Sequence, residues 1–181
     1  MLVDSQTRSL RGYTDELSGL FGRKYMNYCL ERIYATQEKD VYGIMMDVNC
    51  FKEINDTYGH AEGDRAIQEI GHILSGALVA NSVAIRMSGD EFMVLIRHGS
   101  EEIMDKTCAA IEQRVQRYNA AAPAGSFQLS FSTGVAKYEG GSVEKFLVEL
   151  DERMYAEKRA FHAARNGHAV PEQGNAPSIS E

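Results

Sequence analysis

The sequence is short of cysteine, of proline and of positive charge, and it has no long apolar run. Its three cysteines, Cys29, Cys50 and Cys108, stand far apart with no C-x-x-C pair. That argues against a disulfide framework or a zinc knuckle and fits a reducing compartment. Nineteen Lys and Arg against 26 Asp and Glu leave a formal charge of −7, so no broad basic field exists to hold a nucleic acid polymer. The best apolar stretch, Val41 to Val48, is interrupted by Asp47. Nothing approaches the ~20 residues of a membrane span or the apolar region of a signal peptide. The segment is expected to be cytoplasmic and to make no membrane contact.

Present instead is an ordinary globular composition, 44% apolar and 25% charged over 181 residues, long enough for one domain that buries about two-thirds of its unfolded surface without staples. Residues 1–13 read as a lead-in or linker, too short to be a module. From Ala169 the chain runs A-V-P-E-Q-G-N-A-P-S-I-S-E, with two of the three prolines and almost no bulky apolar side chains, and reads as a disordered tail. Residues 14–168 are left as the folded domain.

Periodicity divides that domain. Tyr25, Met26, Cys29, Leu30, Ile33 and Tyr34 recur at helical spacing, as do Ile67, Ile70, Ile73, Leu74, Ala77 and Leu78. Between them the unbroken run Val41–Val48 has the character of a central strand covered on both faces. Ser82–Met87 and Phe92–Arg97 read as a hairpin closed by S-G-D-E, with Gly89 supplying a tight turn. Met104, Cys108, Ile111, Val115 and Tyr118 mark a further helix, Phe127–Lys137 a strand, and Val143, Leu147, Leu150 and Met154 a last helix. Met45, Met46, Phe146 and Tyr155 read as core. The order α-β-α-α-β-β-α-β-α predicts an α+β layer on a mixed sheet.

Asp47 closes the buried strand, and Asp90 and Glu91 occupy the hairpin tip. If the strands are neighbours, three carboxylates meet at one end of the sheet and repel one another unless a cation neutralises them. Oxygen ligands of this kind suit Mg²⁺, which keeps part of its shell for substrate phosphates. The same residues also suit a turn aspartate and a strand-end cap.

Three stretches carry more information: D-E-L-S-G-L-F-G-R at 15–23, M-D-V-N-C-F-K-E-I-N-D-T-Y-G-H-A-E-G-D at 46–64, and R-M-S-G-D-E-F at 86–92. With F-S-T-G-V-A at 131–136 and D-E-R-M-Y-A-E-K at 151–158, the chain resembles the GGDEF family of diguanylate cyclases from about Asp15 to Lys158. The resemblance implies a palm-like nucleotide-cyclase fold, α+β, with a central mixed or antiparallel five-stranded sheet flanked by helices. It implies condensation of two GTP into cyclic di-GMP by a homodimer, usually under an upstream sensor or dimerisation domain.

Carried over by position, Asp47, the carbonyl of Val48, Asp90 and Glu91 are implied ligands of Mg²⁺ or Mn²⁺, with Asp90 and Glu91 catalytic. Phe51, through its N–H, and Lys52 are implied at the phosphates, and Ser88 and Gly89 at the nucleotide. Asn55 and Asp64 are implied at guanine, whose N1–H and amine a carboxylate accepts. Read without the resemblance, Asn55 and Asp56 are helix caps in a loop between two helices. Gly59, His60 and Gly63 read as structural, and Asn49 as neutral to metal.

The sequence also departs from the family. Ser88 replaces the first glycine of the signature. Family members usually end the last helix with K-x-x-G-R-N; here Lys158 matches, but Phe161 and His162 follow, and an imidazole is a weaker phosphate clamp than a guanidinium. Arg165 lies three residues further and is expected to contribute only if the helix ends or bends. The family's product-inhibition motif R-x-x-D falls on Val79 and Ser82, which predicts no such inhibition. Two readings stay open: an active diguanylate cyclase, or a degenerate GGDEF domain that binds GTP or a protein partner.

Overall fold

The computed structural model describes residues 11–167. The tail from Ala169 and all of the lead-in before the short turn Arg11–Tyr13 lie outside the described residues. Strand β1 (Phe21–Gly22) leads into helix α1 (Arg23–Thr36). Then follow β2 (Val41–Val48), α2 (Phe51–Tyr58), α3 (His60–Ala77), β3 (Ser82–Ser88), β4 (Glu91–Ile96), α4 (Glu101–Ala121), β5 (Phe131–Tyr138) and α5 (Val143–Gly167).

All eight residues of β2 are buried, because side chains alternate across a strand and both faces are covered. Tyr42, Ile44, Met46 and Val48 enter one apolar cluster with Ile67, Ile70 and Leu74 of α3 and Ile111 and Val115 of α4. Val41 and Met45 enter another with Leu30 and Ile33 of α1 and Phe146, Leu150 and Met154 of α5. Continuous apolarity is the mark of such a doubly covered strand. β2 pairs antiparallel with both β4 and β5, β4 antiparallel with β3, and β3 parallel with β1. The sheet order is β1-β3-β4-β2-β5, the mixed five-stranded α+β sheet expected.

Alternation also decides where the chemistry sits. Asp47 shares the parity of Val41, Gly43 and Met45, so it belongs to the face that α5 covers. α5 comes very close to that face. A Cβ on Gly134 of β5 would lie 2.0 Å from the Leu150 carbonyl oxygen, and one on Gly43 2.7 Å from the Phe146 ring.

Several expectations are corrected. Tyr155 is not core: it is 55% exposed, with the Arg159 guanidinium 5.1 Å from its ring centroid. Tyr34 is likewise exposed although it keeps helical spacing with the buried positions. The last strand starts at Phe131 rather than Phe127. Leu129 is buried, and its N–H and C=O are both taken by the Asn119 side-chain amide of α4, at 2.8 and 2.7 Å. That amide stands in for a strand partner and ends the ladder early. Asn55 and Asp56 lie inside α2, not in a loop, and β1, two residues long, is too short to have shown a periodicity.

Candidate functional site

β2 and the β3–β4 turn bring the carboxylates together. Asp47 stands opposite Glu91 in the β2–β4 register, and the Val48 N–H donates to the Asp90 carbonyl at 3.1 Å. Gly89 turns the chain at φ +34°, and the β3–β4 register slips between Arg86 and Ser88. Asp47 is buried. Its Oδ1 accepts no hydrogen bond of regular geometry, although Lys158 Nζ lies 2.7 Å away; the contact is therefore an ion pair made off the hydrogen-bonding directions. Burial, and then the charge of Asp47, push the Asp90 carboxyl above the usual aspartate range.

Glu91 is held differently: it accepts a hydrogen bond from the Ser88 hydroxyl at 2.5 Å. Among the described residues no three acidic, histidine or cysteine side chains close on one point as a ready-made metal cage. A buried carboxylate oxygen lacking a regular hydrogen bond, beside a second carboxylate that is costly to ionise, nevertheless fits a divalent cation that takes one or two protein carboxylates and completes its shell on phosphate.

Asn49 and Cys50 join β2 to α2. The Asn49 amide donates to Ser130 Oγ at 3.2 Å and accepts from Ser132 Oγ at 2.6 Å. Cys50 makes the sharp corner at φ +58°. Phe51 follows, packed against the core, and Lys52 is exposed. Asn55 is fixed from both sides. Its Nδ2 donates to the Phe51 carbonyl at 3.2 Å, and His60 Nδ1 lies 3.3 Å from its Oδ1. Gly63 leaves room for it, since a Cβ there would sit 2.0 Å from Asn55 Oδ1. His60 and Gly63 are thus structural supports of Asn55. Asp64 follows Gly63, exposed, on the helix facing α2.

α5 supplies the cations. Its backbone runs unbroken to Gly167, so Lys158 and Arg165, seven residues apart, share one face about 10 Å from each other. Arg165 pairs with both carboxylate oxygens of Glu53 at 2.7 and 2.6 Å and reaches Cys50 Sγ at 2.5 Å. α5 neither ends nor bends before Gly167, and along that straight helix Arg165 arrives at the start of α2. His162 is exposed, with its ring 5.6 Å from that of Phe161.

Asp15 and Arg86 had motif membership but no assigned role. Arg86 donates from Nε and Nη2 to the Gly89 carbonyl at 2.9 and 2.8 Å, and from Nη1 to Asp15 Oδ1 at 3.1 Å. It ties the hairpin turn to the loop ahead of β1. Burial alone would raise the Asp15 carboxyl, but hydrogen bonds from Ser18 and Arg86 outweigh it and hold the group below its ordinary value. At the position of the absent product-inhibition motif, Ser82 Oγ closes a local turn on Val79 N and O.

Comparison with known proteins places this arrangement. The family model described as "Diguanylate cyclase, GGDEF domain" matches residues 12–163. The chain is 30% identical over 158 residues to the probable diguanylate cyclase DgcJ of Escherichia coli K12, covering 85% of this chain and 31% of that protein. It is 31% identical over 157 residues to diguanylate cyclase DgcS of Shewanella oneidensis, covering 84% and 52%. The fold of the coiled coil and GGDEF domain of DgcB from Caulobacter crescentus, crystallised with c-di-GMP, superposes with a TM-score of 0.76 at 24% identity, covering 86% of each chain. The chain spans only about a third to a half of these two curated relatives.

Proposed function

The chain belongs to the GGDEF family of diguanylate cyclases, and on that premise we propose that it joins two GTP into cyclic di-GMP with release of two pyrophosphates. The observation that carries the reading is the buried Asp47 Oδ1, without a regular hydrogen bond, placed beside Asp90 at the end of β2. Asp47 and Asp90, with the Val48 carbonyl, are the groups that would hold Mg²⁺ or Mn²⁺. Such an ion, when bound, offsets charge on the attacking 3′-oxygen and on the leaving pyrophosphate.

The remaining work falls to this chain's own residues. Lys52 and Arg165 stand at the α2 N-terminus, where free N–H groups, the Phe51 N–H among them, and the helix dipole favour phosphate, and Lys158 stands two turns back along α5 at Asp47. Ser88 and Gly89, in the turn that carries Asp90, would meet the same nucleotide. Asn55, held by His60 and the Phe51 carbonyl, and Asp64 would meet guanine, with the Asp64 carboxylate as the acceptor. Adenine at the same place would set its N1 lone pair against the carboxylate. Each chain holds one GTP, so ring closure needs two chains face to face: each 3′-oxygen bonds to the partner nucleotide's α-phosphorus as a pyrophosphate leaves. This makes the active form a homodimer, assembled by an upstream sensor or dimerisation domain, and a cytoplasmic signalling output.

Ser88 on Glu91 favours the second reading, a domain that binds GTP without turning it over. Incubating the chain with GTP and Mg²⁺ or Mn²⁺ and separating the nucleotides decides between them. Cyclic di-GMP from the wild type and none from Asp90→Ala is the expected result. GTP binding with no product, even after forced dimerisation, would overturn the cyclase reading.

A further inference from the structure

We propose that Lys158 is a resident counter-ion of the Asp47–Asp90 pair that exchanges partners when substrate arrives, so that divalent cation and nucleoside triphosphate bind as a unit and the cation alone binds poorly. The proposal rests on the cyclase reading of the site and assigns Lys158 a task before substrate is present.

The geometry is specific. Lys158 Nζ stands 2.7 Å from Asp47 Oδ1, on a carboxylate 7% exposed, while the lysine side chain itself is 32% exposed. The ammonium therefore closes the solvent side of a buried oxygen that has no regular hydrogen bond. It faces three negative groups, Asp47, Asp90 and Glu91. Two carboxylates this close would otherwise repel each other in a half-buried setting. Lysine is suited to a temporary post, being a point charge on a flexible four-carbon stem.

A divalent cation seeking Asp47 must evict this ammonium. Without nucleotide the displaced lysine gains only water, and the cation gains only two carboxylates and a carbonyl, short of the oxygen shell it needs. With a triphosphate present, the freed ammonium finds phosphate and the phosphate oxygens fill the cation's shell. Arg165, parked on the exposed Glu53 two turns along the same face, is released by the same anion. Each ligand thus pays the other's displacement cost, and by linkage the coupling is reciprocal, of the order of 5- to 150-fold for typical coupled sites.

Mn²⁺ binding to the nucleotide-free protein, followed by electron paramagnetic resonance, tests this without reference to turnover. Lys158→Met removes the competing charge, so its affinity for Mn²⁺ alone should exceed that of the wild type by at least about fivefold. Mn²⁺ should also raise its melting temperature more than it raises the wild type's. Asp47→Asn added to Lys158→Met should abolish the gain. Should the Met variant fold poorly, Lys158→Gln serves the same comparison. Equal or weaker Mn²⁺ binding in the folded lysine variants would overturn the counter-ion. Failure of the wild type to make cyclic di-GMP would overturn the cyclase reading while leaving the titration interpretable.

Discussion

Ser88 carries the smallest departure from the family signature and has a defined contact. Its hydroxyl donates to the Glu91 carboxylate at 2.5 Å and restrains it. Ser88→Ala deletes the hydroxyl and keeps the β-carbon, whereas Ser88→Gly deletes both. If the hydrogen bond is what restrains Glu91, both variants raise kcat to a similar extent, by about fivefold for a bond worth ~1 kcal/mol. A gain in the glycine variant alone would point to the β-carbon instead. Arg165 gives a second prediction at this scale. Its substitution by Ala should raise the KM for GTP about tenfold, the worth of one charge-assisted hydrogen bond, while His162→Ala should change it little. Steady-state kinetics on both variants checks the ranking. Asp47, Asp90, Glu91 and Lys158 were legible because motif and spacing mark them. Asp15–Arg86 and Glu53–Arg165 were not, since contacts spanning 71 and 112 residues leave no local pattern.

The elements that hold these residues were largely readable. The continuous run of β2 announced a doubly covered strand, and the turn at Gly89 a hairpin. What stayed hidden was close approach. Gly134, in the F-S-T-G-V-A stretch, is there because the α5 backbone passes where a Cβ would lie, 2.0 Å from the Leu150 carbonyl oxygen. Gly134→Ala should cost about 3 kcal/mol, the upper end of overpacking because a helix backbone cannot yield as a side chain does. Denaturant unfolding would measure it.

The junction between α1 and the end of β4 supplies a pH test. Glu38, 8% exposed, accepts from Arg97 Nε at 2.8 Å and Nη2 at 2.5 Å. The Arg97 hydrogen bonds hold its carboxyl below the usual glutamate range. A depressed carboxylate stabilises the fold above its unfolded pKa, and the contribution is lost as pH falls through the lower folded value. Glu38→Gln should therefore be less stable than wild type by about 1–2 kcal/mol at neutral pH, discounted because Arg97 is 38% exposed. That gap should close in acid, and thermal melts across the acid range would show it; a gap that stayed constant with pH would contradict the pairing.

At the scale of the whole molecule the net charge, the lack of a long apolar run and the α+β order were all legible, because they are sums over many residues. On the proposed function, a domain holding one nucleotide could not close a ring made from two, so the reaction would belong to an encounter between copies, which a single chain's fold does not display. The most direct test of the account is specific activity as a function of protein concentration, with GTP and Mg²⁺ and detection of the product by mass spectrometry. The account predicts cyclic di-GMP whose yield per protomer rises with concentration and levels off when two copies are fused through a coiled coil. A fused dimer that binds GTP and makes no cyclic product, or a yield per protomer indifferent to concentration down to high dilution, would contradict it.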